Sequence, residues 1–265
     1  MEQSVDKPLV SIIMGAYNCS QTIGGSIQSI IDQTYSNWEL IICDDCSTDN
    51  TYELLKEWES RDSRIRLFRN ENNLHQAAAR NRCIKASVGE YIMIQDADDV
   101  CTSNRVETLM AAFDSEVDFV GSGCWLFDDS SVYSEKSPRV FFPKPKDLLW
   151  GIPFVHASIM FRKACLDAVG GYRICHYTKR GEDYDLILRL YAAGFRGKNI
   201  ADILYGYRVD RNTLSRRTFG ARLDEMRIRW HGFRLNGILF PLGWLYALKP
   251  IPAHLYHIIK LSRYK

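Results

Sequence analysis

The sequence predicts an α/β fold with a mostly parallel central sheet, flanking helices and a helical C-terminal tail. Two observations predict the body of it. Short β-branched apolar runs recur along the first hundred residues, and stretches of helical periodicity separate them. That alternation is the pattern of βαβ units. A third observation sets the tail apart: no Asp or Glu follows Glu225.

Taken in order, Leu9–Met14 (LVSIIM) reads as a buried strand, and Ile23, Ile27, Ile30 and Ile31 follow at helical spacing. Trp38–Cys43 (WELIIC) is a second strand, and Thr51–Trp58 a helix that Asp49 or Asn50 can cap. Ile65–Phe68 is a short strand, His75–Ala86 a helix ending near Gly89, and Tyr91–Gln95 (YIMIQ) a further strand. From Val117 the rhythm changes. Val117–Phe127 is one apolar stretch, Val132–Glu135 alternates, and Pro138, Pro143, Pro145 and Pro153 break the next section into loops. Ser158–Arg162 reads as a strand, and Asp183–Ala193 as an amphipathic helix with Leu186, Ile187, Leu190 and Tyr191 on one side. The expected organisation is a catalytic domain over 1–217, with a nucleotide-binding half at 8–116 and an acceptor half at 117–217. The tail is 218–265.

The net charge of +2 over 265 residues gives no case for nucleic-acid binding. It conceals an asymmetry. Arg227, Arg229, Arg234, Lys249, Lys260, Arg263 and Lys265 lie beyond Glu225, and setting those seven charges aside turns +2 into −5 for residues 1–225. The start carries Glu2 and Asp6 and lacks the basic, apolar pattern of an export signal, so a cytosolic start is expected. The eight cysteines are scattered, several in apolar runs, and read as small core residues of a reducing compartment. Cys43 and Cys46 form a lone C-x-x-C with no second close pair to complete a zinc site.

Acidic residues fall at strand ends. Asp44 and Asp45 follow one strand, and Asp96, Asp98 and Asp99 follow another. In an open parallel sheet, ligands bind beyond the carboxyl ends of the strands. Carboxylates crowded on one rim repel one another, and a cation or a donor-rich ligand between them relieves that. Asp96-Ala97-Asp98 suits a hard divalent ion, Mn²⁺ or Mg²⁺, which takes one or two carboxylates and completes its shell with substrate phosphates. The same residues also suit an acidic loop capping the next helix through Asp99 or Asn104. Neither G-x-G-x-x-G after the first strand nor G-x-x-x-x-G-K-[ST] is present, which argues against a dinucleotide oxidoreductase and a P-loop NTPase.

These residues resemble the family 2 glycosyltransferases of GT-A fold, a Rossmann-like nucleotide-diphospho-sugar transferase fold. The resemblance rests on ordered pieces over roughly residues 8 to 215. They are Val10-Ser11-Ile12-Ile13 with Tyr17-Asn18; Ser29-Ile30 with Gln33-Thr34-Tyr35; Asp44-Asp45-Cys46-Ser47-Thr48-Asp49; Ala79-Arg80-Asn81; Gly89-Glu90-Tyr91-Ile92 leading to Asp96-Ala97-Asp98-Asp99; Gly170-Gly171-Tyr172; and Glu182-Asp183-Tyr184-Asp185-Leu186. Three positions depart from the family pattern: Gly15 in the first loop, Cys46 for a glycine, and Gln95 for a leucine.

The resemblance implies that Tyr17 and Asp45 hold the nucleotide base, Asp45 by accepting the uracil N–H. Arg80 would lie near the base or diphosphate, Asp96 at the ribose and near the metal, Asp98 on the metal, and Arg208 near the diphosphate. Asp183 would be the catalytic base, with Glu182 beside it and His156 lining the donor or acceptor pocket. Negative charge also stabilises a helix N-terminus, so Glu182 and Asp183 have a structural use of their own. His75 and His176 have no partner at ligand spacing and read as ordinary loop or surface residues. The implied reaction is inverting hexosyl transfer from a nucleotide-sugar, UDP the expected nucleotide, to a hydroxyl of a polyprenyl-diphosphate-linked sugar in O-antigen or capsule synthesis. A sugar nucleotidyltransferase is the competing enzyme class, but Met14–Thr22 lacks the basic, glycine-rich loop it needs. A non-catalytic nucleotide-sugar binder is the other alternative. Phe233–Leu248 is too broken by Pro241 and glycines for a confident membrane span. Trp244, Tyr246, Tyr256 and flanking cations suit a segment lying on the cytoplasmic face of the inner membrane. Packing onto the catalytic domain or a second subunit is its alternative.

Overall fold

The computed structural model describes residues 7–209, 218–239 and 241–251. The chain runs β1 (Val10–Ala16), α1 (Ile23–Ile31), β2 (Trp38–Asp44), α2 (Thr51–Arg61), β3 (Ile65–Arg69), α3 (His75–Ala86), β4 (Tyr91–Ile94), β5 (Val100–Cys101), α4 (Arg105–Ala111), β6 (Phe119–Phe127) and β7 (Val132–Lys136). It continues through 3₁₀ turns at Pro145–Leu149 and His156–Ser158 to β8 (Met160–Arg162), α5 (Lys163–Val169), α6 (Glu182–Ala192), β9 (Gly197–Arg208), α7 (Phe219–Leu235) and α8 (Leu242–Ala247).

The strands form one sheet in the order β3-β2-β1-β4-β8-β6-β9-β5, with β7 paired to β6. β1 and β2 are buried on both faces, hence their unbroken apolar runs. Successive side chains on β1 point to opposite faces. Ile12 and Met14 join a core with Ile23, Ile27 and Leu55, while Ile13 joins a core with Cys83 and Leu186. The parallel pairing of β3, β2, β1 and β4 brings the ends of β1 and β2 level, Ala16 against Asp44, and β4 runs beside them. Asp45 and Asp96 therefore leave the sheet on the same rim.

Beyond β4 the sheet becomes mixed. β8 runs antiparallel to both β4 and β6, β7 antiparallel to β6, and β5 antiparallel to β9; β6 and β9 are parallel. The reason lies in the connections. A parallel return needs a helical crossover, and the stretch from β6 to β8 is a hairpin followed by proline-broken loops and short 3₁₀ turns. α5 and α6 then supply the crossover that lets β9 run parallel to β6.

α7, the start of the expected tail, packs on α6 within the catalytic body. Ile228, Arg229, Gly232 and Phe233 are buried. At Gly232 a Cβ would sit 2.4 Å from Leu188 Cδ1, so glycine is what lets the helices approach. Asn236 Nδ2 donates to Leu188 O (2.9 Å). Buried Arg229 is satisfied by Glu225 Oε1 (2.9 and 3.0 Å) and Leu149 O (3.0 Å). Four arginines in α7 hide its packing face from a periodicity reading. Residues 252–265, with Tyr256, lie outside the described residues.

Candidate active site

Above the rim is a cavity of about 1400 Å³. Tyr17, Asp45, Asp96, Asp98, Glu182, Asp183 and Arg208, drawn from five separate segments, all line it. Arg80 and His156 do not line it; Arg80 is buried and His156 partly buried. Sequence reasoning missed the contribution of α7, whose Arg222, Glu225, Ile228 and Arg229 close one side of the cavity. It also set His75 aside, which lines the cavity with a left-handed φ of 67°.

The two carboxylates that end β2 part company. Asp44 is fully buried, paired with Arg69 Nε (3.1 Å) and accepting from Ser47 N (3.2 Å). Asp45 lies at the cavity, its Oδ1 accepting from Asn70 Nδ2 (2.8 Å) and Leu74 N (2.9 Å). Cys46, in the place of a glycine, takes the left-handed φ of 63° that a glycine would supply without strain, and its thiol donates to Glu71 O (3.4 Å). All eight cysteines are free, Cys43 buried and Cys46 partly exposed.

The three carboxylates after β4 also differ. Asp96 Oδ1 accepts from Arg80 Nη2 (2.6 Å) and Gln76 Nε2 (3.1 Å). Asp98 faces the cavity. Asp99 is tied down by Tyr205 Oη (2.7 Å) and the backbone N–H of Arg208 (2.7 Å). Burial, reinforced by the charges of Asp96 and Asp98, pushes the Asp99 carboxyl up to about 8. Arg208 Nε donates to Asp98 O (3.0 Å), so β9 clamps the loop that carries the acids.

Across the cavity, Glu182 and Asp183 open α6. Gly181 precedes them because Ile228 of α7 lies over it, 2.6 Å from where a Cβ would be. Burial raises the Glu182 carboxyl to about 7 against the opposing charge of Arg80. It raises Asp183 as well, opposed by the Tyr184 N–H (2.7 Å) and Arg80. A carboxylate with a raised pKa at the wall of a cavity is suited to taking a proton from a hydroxyl.

Residues 11–175 match the family described as Glycosyl transferase family 2. The chain belongs to that family. Among its relatives, EpsE of Bacillus subtilis (strain 168) is 37% identical over 262 residues, 97% of this chain and 93% of that one. WfaP of Escherichia coli, named as a UDP-Glc:α-D-GlcNAc-diphosphoundecaprenol β-1,3-glucosyltransferase, is 32% identical over 83% of this chain and 85% of that one. The fold matches Staphylococcus aureus TarS 1–349 in complex with UDP-GlcNAc, with a TM-score of 0.70, 16% identity, and 86% and 70% of the two chains covered. It also matches the mannosyltransferase PcManGT of Pyrobaculum calidifontis in complex with GDP-Man and Mn²⁺, with a TM-score of 0.60, 20% identity, and 97% and 76% covered. The fold is thus GT-A and the protein a glycosyltransferase.

In this family 2 glycosyltransferase no group of three or more His, Cys, Asp or Glu side chains gathers into a metal cage among the described residues. Mg²⁺ or Mn²⁺ asks for no such cage, since one or two carboxylates and phosphate oxygens hold it. Asp98 and Asp96 supply two carboxylates at the cavity wall, and the donor set is all oxygen. The residues present fit the ion.

Proposed function

We propose that this glycosyltransferase moves a hexose from a UDP-sugar, with inversion, onto a hydroxyl of a sugar carried on a polyprenyl diphosphate, in bacterial surface-polysaccharide synthesis. One observation carries the reading. The acids placed at the ends of β2 and β4 and those that open α6 line a single cavity large enough for both substrates. The name of WfaP supports the donor and acceptor classes.

Tyr17 and Asp45 hold the base, with Asp45 Oδ1 already oriented by Asn70 and Leu74. Asp96 meets the ribose. Asp98, with Asp96, holds a divalent ion that, once bound with the donor phosphates, offsets charge on the leaving diphosphate. Asp183 takes the proton of the attacking hydroxyl as the new glycosidic bond forms and the bond to the diphosphate breaks. Glu182 lines the acceptor side, and Arg208 holds the loop beneath the diphosphate.

Peripheral attachment to the cytoplasmic membrane face belongs to the same reading. No helix among the described residues is long and apolar enough to cross a membrane. Leu239, Leu242, Trp244, Leu245 and Leu248 are instead all at least half exposed, and Trp150, edge-to-face with Tyr246 and under Lys249, lies beside them. Trp150 directly precedes Gly151 and Ile152 of the cavity rim, so the apolar ridge and the site share an edge. Deleting 226–265 would cut through α7. The test is therefore Leu242→Glu with Leu245→Glu, which should abolish co-flotation with anionic vesicles; unchanged flotation would refute the attachment.

The function itself is tested by a donor screen. Purified protein, Mn²⁺ and a synthetic lipid-diphosphate sugar are mixed with UDP-, GDP- and dTDP-sugars, and released nucleotide is read with and without EDTA. Metal-dependent release from a UDP-sugar is expected. Release from a GDP- or dTDP-sugar instead would overturn the UDP assignment, and no release from any donor would overturn the transfer reaction.

A further inference from the structure

We propose that Arg80 is a positioning residue: a buried guanidinium that latches the donor-side acid Asp96 to the start of the catalytic helix α6, so that the two walls of the cavity are held as one piece. The inference deepens the transfer reading and rests on it for the roles of Asp96 and Asp183. It gives Arg80 a role other than the one expected from the sequence, near the base or diphosphate.

The geometry runs through five segments. Arg80 lies on α3 and is 3% exposed. Its Nη2 donates to Asp96 Oδ1 at 2.6 Å, and Nη1 lies 3.8 Å from Glu182 Oε1. The guanidinium sits over the Tyr172 ring, 5.4 Å from its centroid, and Tyr172 Oη shares a 2.8 Å hydrogen bond with His156 Nε2. The neighbouring Asn81 pins Tyr172 by its backbone. Asn81 Oδ1 accepts from Tyr172 N (2.8 Å), and Nδ2 donates to Tyr172 O (2.7 Å). Gly171 must be a glycine here, because a Cβ would meet Asn81 Oδ1 at 2.5 Å. Ala79-Arg80-Asn81 and Gly170-Gly171-Tyr172, some ninety residues apart, are thus one interlocked unit.

The electrostatics favour a latch over a ligand contact. A buried cation is tolerable only when paired. Asp96 holds the guanidinium firmly charged against the cost of burial. In turn its charge faces Glu182 and Asp183, whose burial works against ionisation. Burial, reinforced by the charge of Arg80, keeps His156 neutral. A planar guanidinium fork holds its carboxylates in fixed directions, where an ammonium on a flexible stem acts as a point charge.

The test uses the full chain and four forms: wild type, Arg80→Lys, Arg80→Met, and Arg80→Met with Glu182→Gln. Thermal midpoints are measured without substrate, and kcat and donor KM are measured below each midpoint. Arg80→Met should lower Tm by roughly 10 °C, because carboxylates are left buried without their cation. Adding Glu182→Gln should regain several degrees by removing one of those carboxylates. Arg80→Lys should recover most of the Tm while kcat stays down by about 100-fold, the cost of a misplaced site. A kcat that recovers along with Tm in Arg80→Lys would make the residue structural only. A tenfold rise in donor KM in Arg80→Met, with Tm and kcat unchanged, would restore the direct donor contact. Either result overturns the latch, as would the absence of any Tm gain from Glu182→Gln. If the wild type transfers no sugar the function reading fails, and the Tm comparison still decides the latch.

Discussion

Gly232→Val should loosen α7 from α6 and weaken acceptor binding before it weakens donor binding. A Cβ at 232 would lie 2.4, 2.8 and 2.9 Å from Leu188 Cδ1, Cγ and Cβ. Rotating Leu188 moves Cδ1 but not its Cβ, so the helices must part. Alanine alone would gain about 1 kcal/mol of helix propensity and lose roughly 1–3 kcal/mol to overpacking, a net change near 1 kcal/mol. Valine forgoes much of the propensity gain and adds two methyls, for about 3 kcal/mol of destabilisation and a fall in Tm of roughly 6–12 °C. Because α7 carries Arg222, Glu225 and Arg229 into the cavity while Tyr17 and Asp45 stand on β1 and β2 loops, the loss should fall on one side. Calorimetric titration with UDP should give a Kd within about threefold of wild type, and the acceptor KM should rise about tenfold, the kinetic equivalent of ~1.4 kcal/mol. A valine variant as stable as wild type, or equal losses of UDP and acceptor binding, would refute the packing argument.

Other outcomes follow from the same geometry. Asp183→Asn should lower kcat by ~10²–10⁴-fold with UDP affinity kept, the usual worth of a positioned base; near-normal turnover in a single-turnover assay would remove Asp183 from the role. For Glu182, burial raises the folded carboxyl from its ordinary 4.5 to about 7, so the folded state holds its proton more tightly than the unfolded chain. Stability should therefore fall as pH rises from about 4.5 through about 7, by on the order of 3 kcal/mol for this group. Asp99 works in the same direction, so the measurement is the difference between wild type and Glu182→Gln in urea melts at pH 5 and pH 8. Equal pH slopes would refute it.

The first half of the fold was legible because strands buried on both faces write themselves as unbroken apolar runs, as in Trp38–Cys43. β9 was not. Its residues alternate irregularly between buried and exposed along its length, and Gly197 and Gly206 interrupt it. Those glycines answer to partners elsewhere in the chain, since a Cβ would collide with Phe119 and Trp125 respectively. The acids of the site could be named from local motifs, because strand ends deliver them to a common rim. The α7 wall could not, since what makes it a wall is Gly181 and Gly232 accepting Ile228 and Leu188 from across the interface. Arg80 was legible as a site residue but not as a buried one. Its partners Asp96 and Glu182 are distant in sequence, and only the fold brings both to it.

Gln95 departs from the family's leucine, and the structure gives the departure a reason that can be measured. Arg105 is fully buried, with Nη1 donating to Gln95 Oε1 (2.8 Å) and Nη2 donating to Ile94 O (2.8 Å) and Ala157 O (2.9 Å). The Gln95 amide also donates to Asp99 O (2.9 Å) and Ser26 Oγ (3.2 Å). One side chain thus satisfies a buried cation and props the loop that bears Asp96 and Asp98. Gln95→Leu, a change toward the family pattern, should destabilise by about 2–4 kcal/mol, since a hydrogen bond to a charged group and a loop prop are lost together. Combining it with Arg105→Leu should recover much of that loss, because no charge is then left short of its acceptor. Urea denaturation of the wild type and the two variants measures both effects. A neutral Gln95→Leu, or a double variant no better than the single, would mean that the loop does not depend on Gln95.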